Sequence, residues 1–188
     1  MWAITLGVAV AARAETPIEL QSLKVQRQDQ QLVLSASWQF ELPSALEDAL
    51  YKGVPLYFVT EVELTRERWY FYDKRIARAE RHVRLAYLPL TQRWRVNVAS
   101  QALSNANLGL SLGQSYDTLA DALAVVRRFS QWTLAPASEV DLEARHNLDL
   151  RFRLDLTQLP RPLQMGVSAQ SDWNLSWSRV QRLQVDPR

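Results

Sequence analysis

The chain has no cysteine. That removes disulfides, thiolate metal sites and cysteine nucleophiles together, along with the lipid-modified cysteine of a bacterial lipoprotein. Histidine is nearly as scarce. With only His82 and His146, a zinc site would need both imidazoles plus carboxylates, and strand parity points His82 outward beside Arg84. No metal and no cofactor is expected. Surplus charge is missing too: 22 Lys and Arg stand against 20 Asp and Glu, a formal net charge of +2. Nothing general therefore favours nucleic acid or an anionic membrane as partner. The sequence contains no P-loop, GxGxxG, GxSxG or HExxH motif, so it is read as a non-enzyme. No apolar run approaches the ~20 residues of a transmembrane helix.

The N-terminus reads as an export signal. Residues 2–12 are apolar, and Ala12-Arg13-Ala14 fits a small-x-small cleavage site before Glu15. This divides the chain into a signal peptide over 1–14 and one β-rich domain over 15–188, with a periplasmic location. A basic segment before the apolar run is lacking, which an upstream start or a weak signal would explain. The 188 residues are enough for one sizeable core.

The strongest pattern runs from Leu142 to Leu156. Leu142, Ala144, His146, Leu148, Leu150, Phe152, Leu154 and Leu156 alternate with Glu143, Arg145, Asn147, Asp149, Arg151, Arg153 and Asp155. Period-two alternation is that of a strand with one dry and one wet face. Fully extended it would reach about 50 Å, so other apolar surfaces must cover it. Trp173, Leu175, Trp177, Leu183 and Val185 share one parity and supply its natural partner strand.

Further strands follow from the same rule: Ile18–Arg27, Leu32–Phe40, Leu56–Leu64, Val83–Tyr87 and Trp94–Val98, with a short one at Trp132–Leu134. Parity slips near Arg66–Arg68, which suggests a bulge or bend, and Asp73-Lys74 is the expected turn. Glu61, Glu63 and Glu67 should face Arg84, Arg93 and Arg95 across neighbouring strands. A first helix is expected after Pro43, with Ser44 and Glu47 as a capping box and Gly53 as its stop. A second is expected after a Ser100–Gly113 loop, capped by Ser115, with Leu119, Ala122, Leu123 and Val126 on its dry face. The shared phrase at Leu46–Leu50 and Leu119–Leu123 admits an old duplication. About eight strands and two short helices without a strand–helix rhythm predict a mainly β (α+β) fold. The expected form is a bent antiparallel β-sandwich, with a half-closed barrel as the alternative.

Two features are candidates for function. Between Arg66 and Arg84, seven basic residues stand against three acidic ones, a net of +4. Arg66, Arg68, Trp69, Tyr70, Tyr72, Lys74, Arg75, Arg78 and Arg81 form the proposed basic aromatic hairpin. It is suited to an acidic protein, an anionic glycan or a phospholipid headgroup, and equally readable as a plain solvated hairpin. His146 interrupts the apolar row of the ladder. It is either the polar anchor of a ligand cavity and a pH-sensitive contact, or, in the preferred reading, a partly buried imidazole bonded to a backbone carbonyl.

Several ordered segments also carry a family likeness: Gly53-Val-Pro-Leu-Tyr-Phe-Val59, Arg68-Trp69-Tyr70 with Asp73, Tyr87-Leu-Pro-Leu-Thr91 with Trp94-Arg95, Leu154-Asp155 with Leu159-Pro160, Pro162 and Gln164, and Trp173-Asn-Leu-Ser176. Together they resemble the uncharacterised proteobacterial family of exported proteins known as domain of unknown function 4390. The resemblance implies no assigned activity or catalytic residue, and it hints at an envelope signalling partner such as a sensor kinase system. The expected function is thus a non-catalytic exported module that binds another envelope protein. The alternative is a carrier of an apolar ligand such as a lipid, suggested by the long apolar rows and the many tryptophans. No nucleic-acid partner and no transmembrane span is expected.

Overall fold

A computed structural model describes residues 18–68, 72–103, 111–141, 144–160, 173–183 and 185–186. The segment read as a signal peptide lies outside them. Strands β1 (Glu19–Gln28) and β2 (Gln31–Gln39) form a hairpin. Its turn residues Asp29 and Gln30 sit at φ 46° and 64°, the left-handed pair that a two-residue type I′ turn requires. Helix α1 (Ser44–Tyr51) leads to β3 (Leu56–Arg66), β4 (Lys74–Leu88), β5 (Arg93–Ala99) and β6 (Leu112–Tyr116). Helix α2 (Leu119–Arg127) runs into β7 (Arg128–Pro136), followed by β8 (His146–Leu154), β9 (Ser176–Arg182) and the two-residue β10 (Val185–Asp186).

The strands make two sheets, ordered β10-β1-β2-β7 and β6-β5-β4-β3-β8-β9. All neighbours pair antiparallel except β10, which lies parallel to β1. Neither sheet closes on itself among the described residues, so the fold is the expected mainly β sandwich and not a barrel. Both helices carry the chain from one sheet to the other at the same end of the sandwich. The β1–β2 turn, the β3–β4 hairpin tip and the start of β8 lie at the opposite end.

Register lines up the dry face of the larger sheet in rows. Leu154, Phe58, Val83 and Val98 form one row; Phe152, Thr60 and Arg81 the next; Leu150, Val62 and Ala79 a third; Leu148, Leu64 and Ala77 a fourth. Against them pack Val25, Leu32, Leu34, Ala36, Trp38, Phe129 and Leu134 of the smaller sheet. Phe152 is the hub. Its ring centroid lies 5.2 Å from Trp38, 5.5 Å from Phe40 and 5.9 Å from Phe58, distances at which aromatic pairs attract. The two helices add Leu46, Ala49, Leu50, Ala122, Leu123 and Val126 to the same core.

Several expectations are corrected. The ladder is shorter than Leu142–Leu156, because backbone bonds decide where a strand ends. At its start the Ala144 N–H turns back to the Asp141 carbonyl. At its end the Asp155 carboxylate accepts from Thr157 N–H and hydroxyl and opens a short 3₁₀ turn. The partner strand is divided: β9 pairs with β8, while β10 crosses to the other sheet. Ser115 does not cap α2. It pairs with Arg95 in the extended β6, and Thr118 caps instead, accepting from the Asp121 N–H at 3.1 Å. Ser44 likewise lies inside α1, with Pro43 in the cap position and no side-chain capping bond. Gly53 does stop α1 at φ 83°. Its N–H bonds Leu50 and that of Val54 bonds Ala49, the paired bonds of a Schellman ending. The shared helix phrase starts at the third residue of α1 but the first of α2, which removes its support for duplication. The Trp132–Leu134 strand is the nine-residue β7, and the register slip lies in β4 at Ile76 rather than at Arg66–Arg68.

If Phe152 joins the sheets as the ring contacts indicate, Phe152→Ala should cost about 3–5 kcal/mol of unfolding free energy. Leu156→Ala, on the same sequence parity but outside β8, should cost less than half as much. Urea denaturation of the two variants checks the order.

Candidate functional site

The basic residues of the β3–β4 hairpin fall into three environments. Along the stem, β3 presents Glu61 and Glu63 on the outer face of the larger sheet. Opposite them β4 carries Arg78 and, because the extra residue Ile76 bulges out of register, Arg75 as well. In an unbroken strand two residues three apart point to opposite faces; the bulge places both arginines on one. Arg75 Nε donates to Glu63 at 3.1 Å, and Arg78 reaches Glu80 at 2.7 Å and Glu61 at 3.5 Å. From the other side β8 adds Arg153, 3.1 Å from Glu61 and 3.5 Å from Asp155, and an Arg151–Asp149 pair.

The stem is therefore a ladder of alternating charge rather than a positive patch. The expected pairing of the glutamates with Arg84, Arg93 and Arg95 is corrected by this register. Arg84 instead donates to the Tyr57 hydroxyl, and Arg93 pairs with Asp117. Glu80 illustrates the local electrostatics. Burial works to raise its pKa, but hydrogen bonds from His82 and Arg78, with their charges, outweigh that and hold it below the ordinary carboxylate range. A cleft of about 60 Å³ opens beside Glu61, Glu63, Arg78, Asp149 and Arg151, well below the roughly 300 Å³ of small-ligand sites.

Arg81 does not belong to this surface. It lies on the dry face in register with Thr60, and its guanidinium crosses to α2, donating to the Val125 carbonyl at 3.1 Å. Helix α2 passes directly into β7, so the carbonyls of its last turn lack helical partners. Arg81 fills one and meets the negative end of the helix dipole. Its charge sits 5.7 Å from the centroid of Phe129. Burial pushes its pKa down to about 10, which still leaves it charged through the neutral range. Arg127 behaves alike: it donates to the Phe40 carbonyl and lies 5.1 Å from that ring. Burial lowers its pKa, partly opposed by Glu41.

The tip is the third environment. Arg66 pairs with Asp141 at 3.1 Å. Arg68 and Lys74 are exposed and make no ion pair among the described residues. Tyr72 between them is 96% exposed. Asp73 accepts from the Arg68 backbone N–H at 3.4 Å, and Lys74 opens β4. The tip is tied to the start of β8 by the Glu67 N–H, which donates to the Arg145 carbonyl at 2.9 Å. Trp69 and Tyr70 lie outside the described residues.

His146 opens β8 opposite Arg66 and is 3% exposed. Its Nδ1 donates to the Ala144 carbonyl at 3.0 Å, and its Nε2 has no hydrogen-bond partner among the described residues. It lines neither cavity described here. His82 corrects the sequence reading. It projects from the outer face but is buried there, 3.2 Å from Glu80, because that part of the face is covered. No cluster of three or more His, Asp or Glu side chains able to hold a metal forms among the described residues.

Sequence reasoning missed the acidic and basic partners supplied by β8. It also missed an open groove of about 500 Å³ along α2, between Tyr116, Val125, Arg128 and Phe129. The spacing Asp121, Ala124, Val125, Arg128 was its only signal.

Two measurements test this partition. Arg81→Ala should cost about 2–3 kcal/mol, from a carbonyl left unpaired and a packing defect, whereas Arg75→Ala should cost under ~1 kcal/mol as an exposed pair. A surface role for Arg81 would reverse the order. For Glu80, a lowered folded-state pKa means stabilisation that is present above the ordinary carboxylate range and lost as pH falls through the lowered value. The stability gap between wild type and Glu80→Gln should thus be open at pH 7 and narrow progressively as pH is lowered below the ordinary carboxylate range, read by chemical denaturation at each pH.

No curated protein and no solved structure matches the chain. The family described as Domain of unknown function (DUF4390) matches residues 15–183, nearly the whole sequence. The chain belongs to that family.

Proposed function

We propose that the domain is a non-catalytic binding module that docks on another envelope protein through the tip of its β3–β4 hairpin. One observation carries this reading: the stem's arginines are consumed by Glu61, Glu63 and Glu80, while Arg68, Tyr72 and Lys74 are held outward at the tip. Exposed cations around an aromatic suit recognition of an acidic surface. The non-catalytic character rests on the absence of catalytic motifs in the sequence. The exported setting rests on the N-terminal pattern, and a sensor kinase system as partner rests on the family resemblance. Among the described residues no helix is long and apolar enough to cross a membrane. A lipid carrier needs enclosed apolar space. Here the ladder's dry row is filled by Trp38, Phe40, Phe58 and their neighbours, and the groove along α2 is open.

A photo-crosslinking amino acid in place of Tyr72 should trap one envelope protein in living cells. The same residue in place of Leu90, fully exposed at the other end of β4, should trap none. Adding Arg68→Glu and Lys74→Glu should cut the Tyr72 adduct roughly tenfold while leaving the melting temperature within about 2–4 °C. Equal adducts from both positions, or no effect of charge reversal, would sink the reading. A lipid adduct in native mass spectrometry would favour the carrier.

A further inference from the structure

We infer that the free edge of β9 is a strand-addition site for an acidic, extended segment of a partner protein. Proteins ordinarily protect sheet edges with bulges, prolines or covering elements. Two of the edges here follow that rule. Strand β7 carries two register shifts against β2, a left-handed Gln131 at φ 53° and a terminal proline. Strand β1 has a register shift at Leu20/Ser22 and is partly covered by β10. Strand β9 has neither device. Its seven residues pair with β8 in unbroken register, it contains no proline or glycine, and no strand lies on its other side among the described residues.

The orientation of the backbone groups follows from the pairing. Leu154 N–H donates to the Leu175 carbonyl and Leu183 N–H to the His146 carbonyl, so odd-numbered residues of β9 spend their backbone groups on β8. In an antiparallel ladder the alternate residues then face outward. Ser176, Ser178, Val180 and Arg182 therefore present N–H and C=O to an incoming strand. Side chains set the preference. Arg179 and Arg182 are exposed and Val180 is 64% exposed. Pairing of β9 with a second copy would bring two more arginines to the same edge, a like-charge arrangement that disfavours self-association. The same arginines complement acids. An added strand is matched when residues opposite Arg182 and Arg179 are acidic and the one opposite Val180 is apolar. Main-chain bonds then supply affinity and the side chains supply choice of partner.

The proposal does not depend on the hairpin tip. Its test uses the full chain and a short fluorescent peptide with a Glu-Thr-Val-Glu core, which sets acids opposite Arg182 and Arg179 and valine opposite Val180, with a Lys-Thr-Val-Lys counterpart. The glutamate peptide should bind roughly tenfold more tightly at low salt and should protect the amides of Ser176, Ser178, Val180 and Arg182 from hydrogen exchange, sparing none of the four. Val180→Pro removes an outward N–H that β8 does not use, so it should abolish peptide binding with little change in melting temperature. Arg179→Pro, which breaks the β8 ladder, should lower that temperature clearly. The Arg68→Glu, Lys74→Glu variant should bind the peptide unchanged, which keeps failure at the tip and failure at the edge distinguishable. Equal binding of the two peptides, or undiminished binding by Val180→Pro, would falsify the proposal. Protection of the four amides in the free monomer, or a dimer sealed along β9, would also overturn it.

Discussion

The contact between Phe152 and the rings of Trp38, Phe40 and Phe58 fixes how the two sheets face each other. Phe152 is the last dry-face residue but one of β8, and Trp38 the last residue but one of β2, so the stack joins the two sheets near the end where the helices sit. Where it holds, Leu148, Leu150 and Leu154 are placed against β1, β2 and β7, and the alternating residues of β8 and β3 are turned to the outer face. The charged ladder there is a consequence of the apolar one. Its pairs are largely solvent-exposed and individually contribute a few tenths of a kcal/mol. Their effect is to select one register, since a one-residue slip would bury Glu61 and Glu63 and expose Val62 and Leu64.

Much of this was legible from the residues. The period-two patterns gave β2, β3 and β8, and burial in β8 alternates without a break from His146 to Leu154. Gly53 marked the end of α1 because a left-handed residue there has few substitutes. What failed, failed for identifiable reasons. Ser115 and Thr118 are both competent caps by composition. Only pairing of β6 with β5, a contact between distant segments, decides between them. His82 was assigned to the correct face, but parity does not say whether a face is covered. Strand length was overstated at Leu142–Leu156 because side-chain alternation outlasts the backbone ladder: Ala144 and Asp155 already belong to turns.

The charge count of the hairpin was the most consequential misreading. Counting Arg66 to Arg84 along the chain gives a net positive segment, but the acids that neutralise its stem are partly cross-strand neighbours and the segment bends at Ile76. Arg81 was added to the patch although it lies on the dry face, where it serves the end of α2. A buried guanidinium without a carboxylate is costly. Here the cost is offset by a helix carbonyl, the helix dipole and an aromatic face, three weak terms that sequence inspection has no means of locating.

The tip and the β9 edge are not remote from each other. Lys74 pairs with Arg66, Arg66 with His146, and the His146 carbonyl accepts from Leu183 just beyond β9. The tip and the C-terminal end of the β9 edge therefore lie together at the end of the sandwich opposite the helices, separated by three strand spacings, about 14 Å. An ordinary interface covers roughly 800 Å² on each partner, wide enough to include both. Arg68, Lys74 and Arg182, which make no ion pair among the described residues, then form a shared positive field at this end. An acidic partner drawn to one is brought to the other, and weak contact at the tip raises the effective concentration of a strand at the edge.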